Sequence, residues 1–98
     1  MLFVIHFKDR PGSHEIRQQL LESHLSWLDA RRNTIRVAGS LRISPHEAPV
    51  GALWVVEAES KTAAEALFQS DPFWTNGMRE GFEILHWSKA FPDEQALV

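Results

Sequence analysis

Cysteine is absent from the 98 residues of this chain. Its absence excludes a disulfide scaffold, a thiol nucleophile and any zinc or iron–sulfur site built on cysteine. The sequence also lacks a glycine-rich phosphate-binding loop and a GxSxG segment, so neither nucleotide binding nor serine-hydrolase chemistry has support. No apolar run approaches the roughly 20 residues that a membrane-spanning helix needs.

Basic residues are few and scattered. Arg31 and Arg32 form the only adjacent pair, and the formal net charge is −3. A nucleic-acid-binding protein presents a basic patch, so we expect no nucleic-acid partner. The N-terminal apolar stretch is short and has no basic leader, which does not fit a signal peptide. We therefore expect a cytoplasmic protein with no membrane partner.

Large apolar side chains are abundant. Hydrophobic residues make up 44% of the chain, with four Trp and six Phe. A chain of this length forms one domain, and we predict a single domain over 1–98 with a core at about 1–91 and a loosely held tail at 92–98. Such a domain buries roughly 60–70% of its unfolded surface, so some of the rings are expected to cover a pocket or a subunit interface.

The hydrophobic pattern and the turn residues predict elements in the order β-α-β-β-α-β. The first helix begins after Ser13, a potential N-cap, and ends near Arg32. Asp71-Pro72 ends the second helix, because a residue that precedes proline avoids the α conformation, and a short irregular or helical piece follows. The predicted strands are 2–8, 35–39, 52–59 and 82–91, and the second helix follows Ser60.

Because β-α-β connections are right-handed, this element order predicts an α+β ferredoxin-like sandwich. In that fold a four-stranded antiparallel sheet carries two helices on one face. The opposite sheet face then has no cover within one subunit, and such a face normally carries polar residues. The predicted strands are apolar on both faces instead; on the first strand Phe3 and Ile5 alternate with Leu2 and Val4. We therefore predict a homodimer packed sheet to sheet.

His24 is a titratable residue on the apolar side of the first helix. It lies four residues after Leu20 and four before Leu28, at helical spacing. A histidine held against a core is a candidate general base or acid, because it is shielded from water and its protonation can be tuned. The alternative is a structural histidine paired with a backbone carbonyl.

Asp71 also has two interpretations. With Pro72 at the first helical position, it is a standard N-cap for a short helix. Alternatively, Asp71 accepts a hydrogen bond from His24, since the middle of the first helix can face the end of the second in this fold. A carboxylate there would fix the imidazole tautomer and favour its charged form.

Further residues are candidates for substrate binding. Gly39 and Ser40 end the second strand, where glycine permits close approach of the backbone or a bulge, and the serine hydroxyl either donates to a ligand or finishes a turn. Trp27, Phe73 and Trp74 could wall a pocket or could belong to the core.

The histidines do not indicate a metal site. None of the five is at a recognised ligand spacing from another histidine or a carboxylate. His6 and His86 fall on strands that should be neighbours, which favours a pair of interface histidines over a metal site.

Several segments together match a known family pattern: the opening strand Met1–Ile5, His24-Leu25, Gly39-Ser40 and Asp71-Pro72-Phe73. On these segments the chain resembles YciI-like proteins of the dimeric α-β barrel superfamily, over about residues 1–91. The resemblance implies a ferredoxin-like subunit, a dimer, and an active site in a cleft between helices and sheet. It places the family's His–Asp pair on His24 and Asp71.

The resemblance implies a range of activities. One member of the family removes chloride from a chlorinated ring compound. Related barrel enzymes isomerise lactones or oxidise polyketides. The chain departs from the family pattern at Ser40, where proline usually follows the glycine, and in the arginine that often precedes the histidine by a few positions. The nearest arginine on that side is Arg17.

Three functions fit these observations. The first is a cofactor-free lyase or isomerase in which His24 transfers a proton on a small cyclic or aromatic substrate and Asp71 orients it; such acid–base help is worth ~10²–10⁴-fold in rate. The second is a non-catalytic small-molecule-binding or accessory dimer, and the third is a structural dimer module. A His24–Asp71 contact that opens onto a cavity favours the first two, and a solid core around His24 favours the third.

Overall fold

The computed structural model of the protein describes residues 1–93, so residues 94–98 of the predicted tail lie outside the described part. Along the chain, the elements are β1 (Leu2–Asp9), α1 (His14–Asp29), β2 (Ile35–Leu41), β3 (Gly51–Glu57), α2 (Lys61–Leu67), α3 (Pro72–Thr75) and β4 (Arg79–Trp87).

The four strands form one sheet in the order β2-β3-β1-β4, and every pairing is antiparallel. Helix α1 connects β1 to β2, and α2 with the short α3 connects β3 to β4. This is the ferredoxin-like arrangement, so the predicted α+β fold class is confirmed. No helix within residues 1–93 is long and apolar enough to cross a membrane.

The hydrophobic core lies between the sheet and the helices. Alternate residues of β1, namely Phe3, Ile5 and Phe7, are almost fully buried and pack with residues of both helices. Strand β3 contributes Trp54 and Val56 to the same cluster. Because both faces of the strands are apolar in the sequence, the packing of the helices decides which set of alternate residues is buried beneath them.

The other sheet face, which we call the open sheet face, is also apolar. Pairing of Val4 with Leu85 and of Leu2 with Trp87 places these side chains on the opposite side from Phe3. Leu85 is 52% exposed, Leu53 40% and Trp87 39%. The open sheet face thus exposes large hydrophobic side chains over neighbouring strands.

Element ends differ from the sequence predictions where distant pairing decides them. Strand β4 begins at Arg79 and ends at Trp87, because its partner β1 pairs Asp9 with Arg79 and Leu2 with Trp87. Helix α1 ends at Asp29, and the backbone turns through Thr34 before β2. Ser60 caps α2 by accepting from the Ala63 amide, as predicted.

Two local predictions are wrong. The Ser13 side chain makes no capping bond; its backbone carbonyl instead accepts from the Arg17 amide. His6 and His86 do not meet, because His86 pairs with Phe3 whereas His6 pairs with Glu83. Residues an odd number of positions apart on one strand face opposite sides of the sheet, so the two histidines lie on different faces.

Gly51 allows the tight contact between β3 and β1. A methyl group at this position would meet the backbone carbonyl oxygen of Phe7, which cannot move aside as a flexible side chain could. At Gly81, also in a strand, a methyl group would meet nothing within 4 Å.

Gly51→Ala should lower the free energy of unfolding by ~1–3 kcal/mol, the usual cost of overpacking. Gly81→Ala, measured by the same urea titration, should change it much less, and equal effects would contradict the steric explanation.

Candidate active site

His24 and Asp71 form a buried hydrogen bond between α1 and the start of α3. The His24 Nδ1 and Asp71 Oδ1 atoms are 2.7 Å apart, although the residues are 47 positions apart in the chain. His24 is 6% exposed and Asp71 is 1% exposed. The side chains therefore meet in a region where water competes little for the hydrogen bond.

Asp71 has a second role in the same geometry. It is the N-cap of α3, with extended backbone angles, and its Oδ1 accepts a hydrogen bond of 3.1 Å from the Phe73 amide. Pro72 occupies the first turn, where it has no amide hydrogen to satisfy. Helix capping and pairing with His24 are thus simultaneous, because one carboxylate oxygen accepts from both donors.

The pairing selects a histidine tautomer. An ionised carboxylate can only accept, so Nδ1 of His24 carries the proton that it donates to Asp71. Nε2 of the neutral ring then holds a lone pair. A proton acceptor in this orientation is what a general base requires.

Aromatic packing fixes the plane of the imidazole. The Phe73 ring stacks on His24 with centroids 3.8 Å apart and an interplanar angle of 12°. Trp54 lies farther off on a nearly parallel plane, at 6.4 Å. The hydrogen bond and the stacking together leave the ring little freedom to rotate.

A cavity of about 510 Å³ opens beside His24. Its wall comes from α1, from β2 and β3, from the 42–50 loop and from the first residue of β4, and it includes His24, Gly39, Ser40 and Trp54. This volume lies in the range of small-molecule sites, ~300–1,000 Å³. His24 is therefore a buried residue at the edge of a cavity rather than a residue inside a solid core.

The sequence candidates divide into two groups in the structure. Gly39 and Ser40 line the cavity along with His24. Phe73 is fully buried beneath His24, and Trp27 packs against Trp54 while its indole nitrogen donates to Ser70. Trp74 packs against Phe68 and Phe82, away from the cavity. None of the three aromatic candidates lines the cavity: Phe73 and Trp27 support it from the core, and Trp74 belongs to a separate aromatic contact.

An ion group that the sequence did not reveal lies under the cavity. One oxygen of the Asp9 carboxylate accepts a hydrogen bond from Arg17 Nη2. The other oxygen accepts one from Arg79 Nη1 at 2.7 Å. All three residues are buried, and both arginines also line the cavity. Burial lowers the pKa of Arg79 from its ordinary value, and the hydrogen bond to Asp9 opposes that shift.

Arg17 had a signal in the sequence, whereas the other two residues had none. It precedes His24 by two helical turns, and residues at that spacing share a helix face. Arg79 and Asp9 are 70 positions apart and meet only through the β1–β4 pairing. Within residues 1–93, no group of three His, Asp or Glu side chains is arranged to hold a metal ion.

Comparison with known proteins identifies the family of the chain. The sequence profile of the YCII-related domain matches residues 1–88. The protein belongs to the YCII-related family. The resemblance drawn from His24, Asp71 and their neighbouring residues is thereby confirmed at the level of the family. No curated protein matches the sequence of this YCII-related protein.

Solved structures similar to this YCII-related protein include an enzyme. The 5-chloro-2-hydroxyhydroquinone dehydrochlorinase TftG from Burkholderia phenoliruptrix, in complex with 2,5-dihydroxybenzoquinone, is 29% identical, with a TM-score of 0.80 over 90% of this chain and 94% of that one. A protein of unknown function, NE2512 from Nitrosomonas europaea, is 13% identical, with a TM-score of 0.56 over 92% and 90%. An antibiotic biosynthesis monooxygenase is 12% identical, with a TM-score of 0.51 over 91% and 98%. The last two share the fold alone.

Replacing Asp71 should cost more stability than removing an ordinary helix cap. Asp71→Ala removes a cap, worth about 1 kcal/mol, and also leaves the buried His24 donor without its acceptor, so we expect a loss of ~2–4 kcal/mol in the free energy of unfolding. Ser60→Ala removes only the exposed cap of α2 and should cost ~1 kcal/mol. Urea denaturation of both variants tests this difference, and equal losses would mean that the His24–Asp71 bond adds nothing to stability.

Proposed function

We propose that this YCII-related protein is a small enzyme of the lyase or isomerase type that transfers protons on a cyclic or aromatic substrate without a cofactor. The observation that carries the proposal is the hydrogen bond between His24 and Asp71 at the edge of a cavity of about 510 Å³. His24 would be the catalytic residue, because its ring borders the cavity. Asp71 would be a positioning residue, since it lies behind the histidine and holds the tautomer and the ring plane.

The similarity to the Burkholderia dehydrochlorinase supports a hydroxylated ring as substrate. That enzyme is named for a chlorinated hydroxyhydroquinone and was solved with a dihydroxybenzoquinone. Both names describe a six-membered ring with ionisable oxygens. A molecule of this size fits the volume of the cavity beside His24.

Loss of HCl from such a ring needs two proton movements, and one histidine can serve both. A ring hydroxyl gives its proton to Nε2 of His24, and that proton is returned to the carbon that bears chlorine. Chloride then leaves with the electrons of the C–Cl bond, while a second hydroxyl gives its proton to the same Nε2, which releases it to water. The product is a hydroxyquinone. Oxidation at the carbons that become carbonyls is balanced by reduction of C–Cl to C–H, so no external oxidant is required.

Asparagine at position 24 tests the catalytic role. Its amide can still donate to Asp71 but cannot take up a proton, so His24→Asn should keep the fold and the binding of 2,5-dihydroxybenzoquinone. Its kcat for chloride release from 5-chloro-2-hydroxyhydroquinone should fall ~10²–10⁴-fold. His86→Asn, on a histidine that contacts Phe3 and does not line the cavity, is the matched control and should leave kcat unchanged.

The alternative of a non-catalytic binding or accessory protein gives a different result in the same assay. Wild-type protein that binds the quinone but releases no chloride above the uncatalysed rate would favour that alternative. Turnover that is equal in wild type and His24→Asn would exclude His24 as the proton carrier.

We also propose that two copies pack through their open sheet faces. The support is the set of exposed Leu53, Leu85 and Trp87 side chains on a face that the two helices of the same subunit do not cover. Burying such a face against an identical face would shield apolar surface on both subunits and satisfy twofold symmetry. The cytoplasmic location expected from the sequence stays a prediction.

A charge on the open sheet face should dissociate this dimer. At micromolar concentration the wild type is expected to sediment as a dimer and Leu85→Asp as a monomer, because a carboxylate buried in the interface would lack a partner. Ile43 is the control position, since it is 79% exposed in the loop between β2 and β3, and Ile43→Asp should remain dimeric. A monomeric wild type would contradict the packing.

A further inference from the structure

The two arginines that line the cavity share a single acceptor. Asp9 is the only hydrogen-bond acceptor that residues 1–93 provide to the guanidinium groups of Arg17 and Arg79. The Nε atom of Arg79 is buried and has no hydrogen-bond partner among the described residues. Buried donors are nearly always paired in folded proteins, so this group is under-satisfied by the protein itself.

The aromatic rings around the two arginines leave little room for other hydrogen-bond acceptors. The Arg79 guanidinium lies over the Phe7 ring at 4.7 Å and over the Phe73 ring at 5.2 Å, and Arg17 lies over Phe73 at 5.1 Å. Aromatic faces attract the cations but accept no strong hydrogen bond. The open side of this ion group is the cavity, whose wall includes both arginines.

The net charge of the buried groups around the cavity depends on whether His24 is protonated. The buried charges are two arginines and two carboxylates, Asp9 and Asp71, which cancel when His24 is neutral. When His24 takes up a proton, the buried set gains one net positive charge. A net charge in a poorly hydrated site is costly, so a single negative charge in the cavity would stabilise the protonated state.

The remaining charged groups at the cavity do not remove this preference. His14 of α1, together with Arg42, His46 and Glu47 of the loop, lines its outer part. Glu47 accepts from the Ser44 hydroxyl, and its backbone carbonyl accepts from Arg42. The acidic group at the mouth is thus matched by a basic one, and the deep end of the cavity keeps its affinity for an anion.

We propose that Arg17 and Arg79 form an oxyanion-binding wall, and that the ligand binds as an ionised oxygen acid while His24 carries the proton. The chemistry that this wall recognises is a delocalised oxyanion, whether an enolate of a hydroxyquinone or a carboxylate on a ring. The Arg17 side chain, which is 10% exposed, can offer further N–H donors to such oxygens, and the Arg79 side chain, which is 1% exposed, adds positive charge behind them. The proposal deepens the proposed function, because it uses the same cavity and names the charge state of the substrate.

Calorimetry with 2,5-dihydroxybenzoquinone tests the wall without any turnover. This compound is a vinylogous acid and is anionic in neutral solution, whereas 2,5-dimethoxybenzoquinone has the same ring and no ionisable hydroxyl. We expect the acid to bind the wild type and Arg17→Gln to weaken it about 10–100-fold, the range for a hydrogen bond to a charged group. The dimethoxy compound should bind weakly and lose nothing in the variant.

Two control variants keep the result interpretable. Arg17→Lys retains the charge but not the planar fork, so its affinity should lie between those of wild type and Arg17→Gln. Arg36→Gln removes an arginine that pairs with Glu57 at the surface and should bind as tightly as wild type. Because Arg79 continues to pair with Asp9 when Arg17 is replaced, Arg17→Gln is expected to fold, which its thermal transition will verify.

Proton uptake tests the charge state. Titrations at about pH 8.5, well above the ordinary histidine pKa of about 6.5, in two buffers of different ionisation enthalpy should show close to one proton taken up per ligand. His24→Asn should take up none, and the bound ligand should keep the absorption spectrum of its anion. Absence of uptake in the wild type, or a spectrum which shows that a ligand oxygen has gained the proton, would overturn the assignment of the proton to His24.

The outcomes separate the wall from the proposed reaction. Binding that is independent of Arg17, or equal for the dimethoxy compound, would overturn the wall even if chloride release depends on His24. Tight, Arg17-dependent binding without turnover would retain the wall and remove the proposed reaction. Benzoate as a third probe distinguishes the two ligand sources, since binding of benzoate at comparable affinity favours a ring carboxylate over an enolate.

Discussion

Charged groups buried beneath α1 must find their partners inside the protein, and this constraint organises the site. Asp9 joins β1 to α1 and β4 through two arginines, and Asp71 joins α3 to α1 through His24. Each carboxylate accepts two hydrogen bonds, so the loss of either would leave more than one donor without a partner in a region with little water. The relative placement of helix and sheet follows from these pairings as well as from the hydrophobic core.

Phe73 lies between the His24–Asp71 pair and the group formed by Asp9, Arg17 and Arg79. One ring contacts the imidazole of His24 by stacking and lies close to the guanidinium groups of Arg17 and Arg79. Its own backbone amide is bound by Asp71. His24 and the two arginines, which all line the cavity, thus contact the same residue of the short helix α3. This arrangement explains how a domain of 98 residues can build a polar site without losing its core.

Features that depend on near neighbours in the chain were accessible from the sequence. The helical spacing around His24, the Asp71-Pro72 helix start and the alternation of Phe3, Ile5 and Phe7 are local patterns with direct physical causes. They predicted the element order and the ferredoxin-like fold, and they marked His24 and Asp71 as candidates; only the resemblance to YciI-like proteins implied that the two residues pair. Arg17 carries a similar signal, two helical turns before His24, although it lies farther from the histidine than the arginine of the family pattern.

The amino-acid sequence by itself indicated the fold class through periodicity and capping, which act over a few residues, and its resemblance to YciI-like proteins implied the family and the His–Asp pair. Tertiary structure alone decided that Asp9 and Arg79 pair across 70 positions, that His6 and His86 face opposite ways, and that Trp27 and Phe73 support the site from the core. Strand register brought these residues together or apart. Register is fixed by the whole set of buried contacts, so no local stretch of sequence displays it.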